Sequence, residues 1–290
     1  MKHIGPLVMV VLICGLLSCA VVGGEIGPDK GHLIVVGGAM RDPAILEKFF
    51  KLAGGKDAPI VVIPTAGGRD DYGPAWRGLN LFKSAGATDV TLLHTYDPKV
   101  ADTEEFVAPL KRAKGVWFGG GRQWRLADSY LNTRTHKEFW NVLDRGGVIG
   151  GSSAGATIQG SYLVRGDTAG NRTMMGDHEV GLGFLKNVGI DQHLLRRNRH
   201  FDMIEVISAH PELLGIGIDE NTAIVVTGDQ FEVMGAGYVV NYDHERQVEP
   251  HGEFYFVAPG DRYDMKAREA VRPGRQGEQP AERVQKKSWN

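Results

Sequence analysis

The stretch from Gly146 to Gln159, GGVIGGSSAGATIQ, constrains this chain more than any other. A short apolar run enters it, small residues crowd its middle, and Ala154, Ala156, Ile158 and Gln159 suit a helix, so the pattern predicts strand, sharp turn, helix. Within it, Gly151-Ser152-Ser153-Ala154-Gly155 fits G-x-S-x-G, a nucleophile elbow in which a serine is held in a strained backbone conformation between small neighbours. The Oγ of Ser153 would then project at the head of a sheet. Because that serine opens a helix, the N–H of Ala154 lacks an intrahelical partner and can face a developing oxyanion. The same pentapeptide also suits a plain packing turn or a phosphate loop, so the choice between readings rests on context.

The flanking sequence supplies an α/β context. Short β-rich runs, His32 to Val36, Pro59 to Pro64, Asp89 to His94 and Gly115 to Phe118, alternate with helical patterns over Pro43 to Ala53, Tyr72 to Ala85, Thr103 to Ala113 and Gln123 to Leu131. Continuous apolar strands separated by helices predict a three-layer αβα sandwich around a mostly parallel sheet. In such sheets ligands gather at the carboxyl ends of the strands, where Gly37, Thr65, Gly119 and Ser153 fall. Past Gln159 the pattern loosens. Arg165 to Gly181 reads as a surface loop near the site, Leu194 to Ser208 as a helix, and Gln230 to Met234 with Tyr238 to Tyr242 as a hairpin or meander. One domain is expected over residues 31–263, followed by a charged tail, 264–290, whose loss of aliphatics predicts disorder.

With 42% hydrophobic and 23% charged residues over 290 positions the chain is ordinary globular protein, and its net charge of −2 gives no reason to expect nucleic acid. The N-terminus differs in kind. Lys2 and His3 precede the apolar run Ile4 to Leu17, and Ser18, Cys19 and Ala20 follow, the pattern of a signal peptide over residues 1–22 with a core too short to span a bilayer comfortably. Leu16-Leu17-Ser18-Cys19 also matches a bacterial lipobox, so cleavage after Ala20 and lipidation of Cys19 both stay open. The chain is expected to be exported, whether secreted, periplasmic or attached to a membrane surface through Cys19; a homodimer also stays open. Both cysteines, Cys14 and Cys19, lie in this segment, which leaves the mature protein without a disulfide or a thiol nucleophile.

A nucleophilic serine needs a general base and a group to orient that base. Of ten histidines, His193 stands out because it ends a short strand-like segment in the cluster Asp191-Gln192-His193, with Arg196, Arg197 and Arg199 shortly after; a structural role is the alternative. Glu220 is the matching carboxylate, at the end of the Gly-interrupted run Gly215 to Asn221, where an ordinary acidic turn is the other reading. The order Ser153, His193, Glu220 is not that of the α/β-hydrolases, which would need a later base such as His244 or His251. The loop Gly119-Gly120-Gly121 offers backbone N–H groups to an oxyanion, and Gln123 either meets a substrate or caps a helix. No nucleotide loop is present, and His136, His178, His200 and His210 lack metal-ligand spacing, so neither metal nor cofactor is expected.

Taken together, Gly-Ser-Ser-Ala-Gly-Ala, the Gly-rich loop with Gln123, Asp191-Gln192-His193 and Gly217 to Asn221 resemble the cyanophycinase family over about Gly31 to Val257. That serine peptidase group also contains aspartyl dipeptidases and has a fold similar to class I glutamine amidotransferases. The resemblance implies Ser153 as nucleophile, His193 as base and Glu220 as its orienting residue, with Gly120 and Ala154 near the oxyanion and Gln123, Asp191, Gln192, Arg197 and Arg199 at the substrate. A Glu as third member favours cyanophycinase over the dipeptidases. At Asp202 this chain departs from the family pattern, which carries a third binding arginine there. The implied substrate is cyanophycin or a related β-aspartyl peptide: an aspartate backbone with arginine on each side-chain carboxyl, hence a free α-carboxylate and a guanidinium per unit. Arginines would meet the carboxylate, and Asp191 with Asp202 the cation; alternatively Arg196 to Arg199 form a solvated helix face with Asp202 as intrahelical partner. An aspartyl or isoaspartyl dipeptidase and a non-catalytic binding protein of the same fold are the rival functions.

Overall fold

In a computed structural model of the chain, which describes residues 24–244 and 254–271, the alternation of strand and helix builds the first half of the fold. It runs β1 (His32–Val36), α1 (Pro43–Ala53), β2 (Ile60–Ile63), α2 (Arg77–Ser84), β3 (Val90–Leu92), α3 (Pro98–Ala101), α4 (Glu104–Arg112), β4 (Gly115–Phe118), α5 (Gln123–Tyr130), α6 (Arg134–Asp144), β5 (Val148–Ser152) and α7 (Ala154–Thr157). The second half runs β6 (Gly160–Tyr162), β7 (Leu185–Gln192), α8 (Met203–Ala209), β8 (Leu214–Ile218), β9 (Thr222–Thr227), β10 (Gln230–Gly235), β11 (Val239–Asp243), β12 (Tyr255–Val257), β13 (Arg262–Asp264) and β14 (Glu269–Val271). Residues 1–22, expected from the sequence to be a signal peptide, with Cys14 and Cys19, as well as His251 and residues 272–290, lie outside the described residues.

The strands form a nine-stranded sheet, β14-β13-β10-β9-β1-β5-β4-β2-β3, and a five-stranded sheet, β12-β11-β8-β7-β6. From β1 to β3 the large sheet is parallel, as its mostly buried inner strands predict, and β9, β10, β13 and β14 extend it by antiparallel pairing. Alternate side chains divide two cores. Ile34, Val36, Ile60 and Val62 pack under α1 and α2 with Phe49, Phe50, Phe82 and Trp117, whose rings meet edge to face. Leu33, Val35, Val61 and Phe118 face a core shared with Leu110 of α4, Leu126 of α5 and Phe139 of α6 and with Val188 and Ile216 of the small sheet. The α1 helix starts where Asp42 caps the N–H of Ala44 and Pro43 fits the first turn. The α/β class and the sandwich over the parallel half match the sequence reading. The small sheet is a further layer that hydrophobic patterning did not reveal, covered on its outer side by α8 through Met203, Val206 and Ile207.

Three local expectations are corrected. Gln230 to Met234 and Tyr238 to Tyr242 do not form a hairpin: β10 pairs in the large sheet and β11 in the small one. The intervening residues are pinned to the β8–β9 connection instead, with Ala236 N–H on Asn221 O and Asp219 N–H on Tyr238 O, which carries the chain from one sheet to the other. The helix expected from Leu194 begins only at Met203, because His193 and Asn198 adopt φ of +55° and +54° and break the helical path. The tail begins later than 264, since Met265 is buried in the main core and β14 pairs with β13. Arg268 Nη1 reaches the fully buried carboxylate of Asp243 at 3.2 Å.

Removing such a charged hydrogen bond costs about 1.5–3 kcal/mol. A chain truncated after Ala267 should therefore melt several degrees below one truncated after Val271, measured by thermal denaturation. Equal melting temperatures would show that Arg268 and β14 contribute nothing to stability.

Candidate active site

Ser153 sits between β5 and α7 with φ +59° and ψ −115°, a strained conformation for a residue with a side chain. The turn is tight enough that a Cβ on Gly155 would lie 2.2 Å from Phe118 O, so only glycine lets α7 settle against the end of β4. The Ser153 N–H donates to Val36 O at 3.0 Å, which fixes the elbow to the end of β1. Ala154 occupies the first position of α7, where its N–H has no intrahelical acceptor. Gly120 lies alongside: a Cβ built on it would be 3.8 Å from Ser153 Oγ. The two residues expected near an oxyanion thus flank the serine.

The small sheet delivers the other two groups. Its neighbours β7 and β8 run parallel with Gln192 opposite Ile218, so His193 and Glu220 leave the sheet at the same end. The chain after β1 receives them: His193 N–H donates to Gly37 O and Asn221 N–H to Gly38 O, both at 2.8 Å. Gly38 has φ +127°, and a Cβ there would lie 2.3 Å from the His193 ring. The result is one hydrogen-bonded line, with His193 Nδ1 at 2.7 Å from Glu220 Oε1 and Nε2 at 3.0 Å from Ser153 Oγ. An ionised carboxylate only accepts, so Nδ1 carries the proton and Nε2 is left to accept from the serine hydroxyl. Burial pushes the His193 pKa down, the Glu220 hydrogen bond opposes it, Arg197 and Arg199 push further down, and the net value lies below 6.5. The imidazole is therefore neutral near pH 7 and able to take a proton.

The remaining sequence-derived candidates separate into two groups. Gln123 is 1% exposed, and its amide donates to Val164 O and Arg165 O, both at 2.8 Å, so it holds a loop rather than facing a substrate. Asp191 is fully buried and both of its oxygens are taken by Arg165 (Nε–Oδ1 2.8 Å, Nη2–Oδ2 2.9 Å), which removes it as a free anion. Asp202 is no intrahelical partner of the Arg196 to Arg199 group, since its Oδ2 accepts from Arg165 Nη2 at 2.6 Å. Arg199 is mostly buried and donates to Gln192 O at 3.2 Å. By contrast Arg197 is exposed, and Gln192 Oε1 is buried without a hydrogen bond from the described residues. Among the described residues no three His, Cys, Asp or Glu side chains cluster as a metal site.

Sequence reasoning missed Arg165, a 2%-exposed arginine at the start of what read as a surface loop, and the acceptor role of Gly37 and Gly38. The signal for Arg165 was faint: a lone cation directly after the apolar pair Leu163-Val164.

The family model for peptidase family S51 matches residues 33–234. The chain belongs to that family. A cyanophycinase from Geminocystis herdmanii is 31% identical over 264 residues, 83% of this chain and 96% of the relative. A cyanophycinase from Synechococcus elongatus is 34% identical over 263 residues, 82% of this chain and 80% of the relative. The solved structure of a peptidase from an acI-B1 actinobacterium aligns with a TM-score of 0.60 at 25% identity, covering 83% of this chain and 98% of that one. This S51 member is a serine-type peptidase.

Two outcomes follow from the geometry. Gly38→Ala should lower kcat by about 100-fold, the cost of displacing a reacting group by about 1 Å, in kinetics on folded protein; wild-type kcat would show that His193 does not depend on that contact. The acid limb of kcat/KM should fall below pH 6.5 as His193 takes up a proton, and Arg197→Ala, by removing a cation that disfavours the imidazolium, should move that limb upward. A downward movement would contradict the electrostatic account.

Proposed function

We propose that this S51 peptidase degrades cyanophycin to β-Asp-Arg dipeptides by acyl transfer through Ser153, His193 and Glu220. The observation that carries the reading is the hydrogen-bonded line from Glu220 through His193 to a serine in an elbow, in a chain whose relatives are named cyanophycinases. Ser153 Oγ attacks the scissile carbonyl carbon while its proton passes to His193 Nε2. The carbonyl oxygen becomes an oxyanion facing the N–H groups of Ala154 and Gly120. Glu220 holds the Nδ1–H and stabilises the imidazolium. His193 then protonates the leaving amine as the C–N bond breaks, leaving an acyl-enzyme. Water, deprotonated by the same histidine, attacks that ester, and the serine regains its proton as the acid product departs.

Charged recognition supports a β-Asp-Arg unit as substrate. Arg197 makes no side-chain hydrogen bond or ion pair among the described residues, which leaves its fork available to a carboxylate. The Oε1 of Gln192 awaits a donor of the kind a peptide N–H provides. Export, with Cys19 as a point of membrane attachment, is part of the proposal and rests on the character of residues 1–22.

Ser153→Ala should reduce turnover of purified cyanophycin by about four to six orders of magnitude, because members of such a unit fail together, and Ser152→Ala should be far milder. Equal losses at the two serines would overturn the assignment. Arg197→Ala should weaken kcat/KM on the polymer by about 1.5 kcal/mol, the lower end for a charged hydrogen bond at an exposed residue. Mass spectrometry of the products decides the substrate: β-Asp-Arg released from the polymer supports cyanophycin, whereas cleavage confined to free dipeptides makes the chain an aspartyl dipeptidase.

A further inference from the structure

Asn221 follows Glu220 in the turn between β8 and β9, and its polar groups reach two other parts of the chain. Its N–H donates to Gly38 O at 2.8 Å, and its backbone oxygen accepts from Ala236 N–H at 2.9 Å. The side chain reaches further: Oδ1 accepts from the N–H of Arg41 at 2.7 Å and from that of Asp42 at 2.6 Å. Two converging N–H donors identify that atom as the amide oxygen, whose two lone pairs suit it to both.

The segment so gripped, residues 37–42, leaves β1 without helical or strand bonds of its own. It carries Gly37 O, which receives His193 N–H, and Gly38, whose Cα lies against the His193 ring. Gly38 and Ala39 adopt φ of +127° and +42° in succession, and for Ala39 that conformation persists only where the surroundings over-determine it. Asn221 fixes the far end of the segment, where Asp42 goes on to cap α1. Thr222 fixes the near end: its backbone oxygen accepts from Gly37 N–H at 3.0 Å, and its Oγ1 donates to Glu220 O at 3.1 Å. The two residues after Glu220 therefore hold both ends of the cradle that receives the histidine. Arg41 Nη2 also stands 4.0 Å from Glu220 Oε2, but at 77% exposure that ion pair contributes little.

We infer that the Asn221 side chain is a positioning group, which clamps residues 41 and 42 to the turn bearing Glu220 and so keeps that carboxylate in register with His193. The inference rests on the reading of Ser153, His193 and Glu220 as one unit. Asparagine suits the place on two counts. It tolerates the left-handed backbone found there, φ +54°, and it offers a double acceptor without adding a charge beside the His193–Glu220 pair.

The test uses the full chain and the rate at which a fluorophosphonate labels Ser153. In that reaction Oγ bonds to phosphorus, fluoride leaves and the hydroxyl proton passes to His193 Nε2; Ser153→Ala sets the blank. Asn221→Gly keeps the left-handed backbone and removes only the side-chain acceptor. It should label about tenfold more slowly, the cost of a displacement of about half an ångström. Burial lowers the His193 pKa, the Glu220 bond opposes it, and Arg197 and Arg199 lower it further, so a slackened Glu220 bond should move the acid limb of labelling to lower pH. Asn221→Asp, with an acceptor oxygen in the same place, should recover most of the rate and return the limb to at least its original pH. In a Glu220→Ala background Asn221→Gly should cost much less than tenfold, because residues acting through one another are not additive. An unchanged rate or an unmoved limb in Asn221→Gly, no recovery in Asn221→Asp, or a full tenfold loss in the Glu220→Ala background would overturn the positioning role alone. Absent labelling of the wild type, labelling that survives Ser153→Ala, or a wild-type rate in Glu220→Ala would overturn the reading on which it rests.

Discussion

Three successive backbone carbonyls at the end of β1 hold this structure's functional end together. Val36 O accepts from Ser153 N–H, Gly37 O from His193 N–H and Gly38 O from Asn221 N–H, at 2.8–3.0 Å. Each donor belongs to a different crossover: Ser153 follows β5 of the large sheet, His193 follows β7 of the small sheet, and Asn221 lies one residue past Glu220, after β8. Geometry at a reacting centre must hold to a fraction of an ångström, and backbone hydrogen bonds hold better than long side chains because they fix the chain itself. Left-handed backbone at Ser153, His193 and Asn221 is tolerated because each residue is fixed by one of these bonds. The glycine at 38 is then a steric necessity, since the histidine ring occupies the space a Cβ would take.

A second constraint is the buried cation Arg165. A guanidinium at 2% exposure is costly unless its donors are all satisfied, and here two carboxylates and a carbonyl surround it. Asp191, so held, accepts the N–H of Gln192 through Oδ1 at 2.9 Å, which stiffens the residues immediately before His193. Gln123 grips the same loop from the α5 side through the carbonyls of Val164 and Arg165. The polar residues that look like ligand contacts in the sequence therefore divide by burial. Asp191 and Gln123 form part of the frame, whereas Arg197 is left exposed.

Several features were legible without coordinates because their cause is local. The elbow at Gly151 to Gly155 demands small residues in adjacent positions, and the buried strands from His32 to Phe118 carry their environment in their composition. His193 and Glu220 were legible for a weaker reason, polar groups ending apolar runs. The helix expected at Leu194 was not, because left-handed turns at His193 and Asn198 follow from what those residues bond to. Nor could the tail be bounded, since Met265 and Arg268 dock through contacts with residues far along the chain.

By itself, then, the sequence determined the parallel α/β half, the strained serine and the chemical type of the residues around it, because periodicity, residue size and turn chemistry act over a few neighbours. Only the tertiary structure decided that a second sheet carries His193 and Glu220 to that serine. It alone separated Asp191 and Gln123, bound within the frame, from Arg197, which is exposed. Which partner a charge finds depends on residues far away in sequence, such as Asp191 and Asp202 for Arg165, 26 and 37 positions on, and local pattern does not encode pairings at that range.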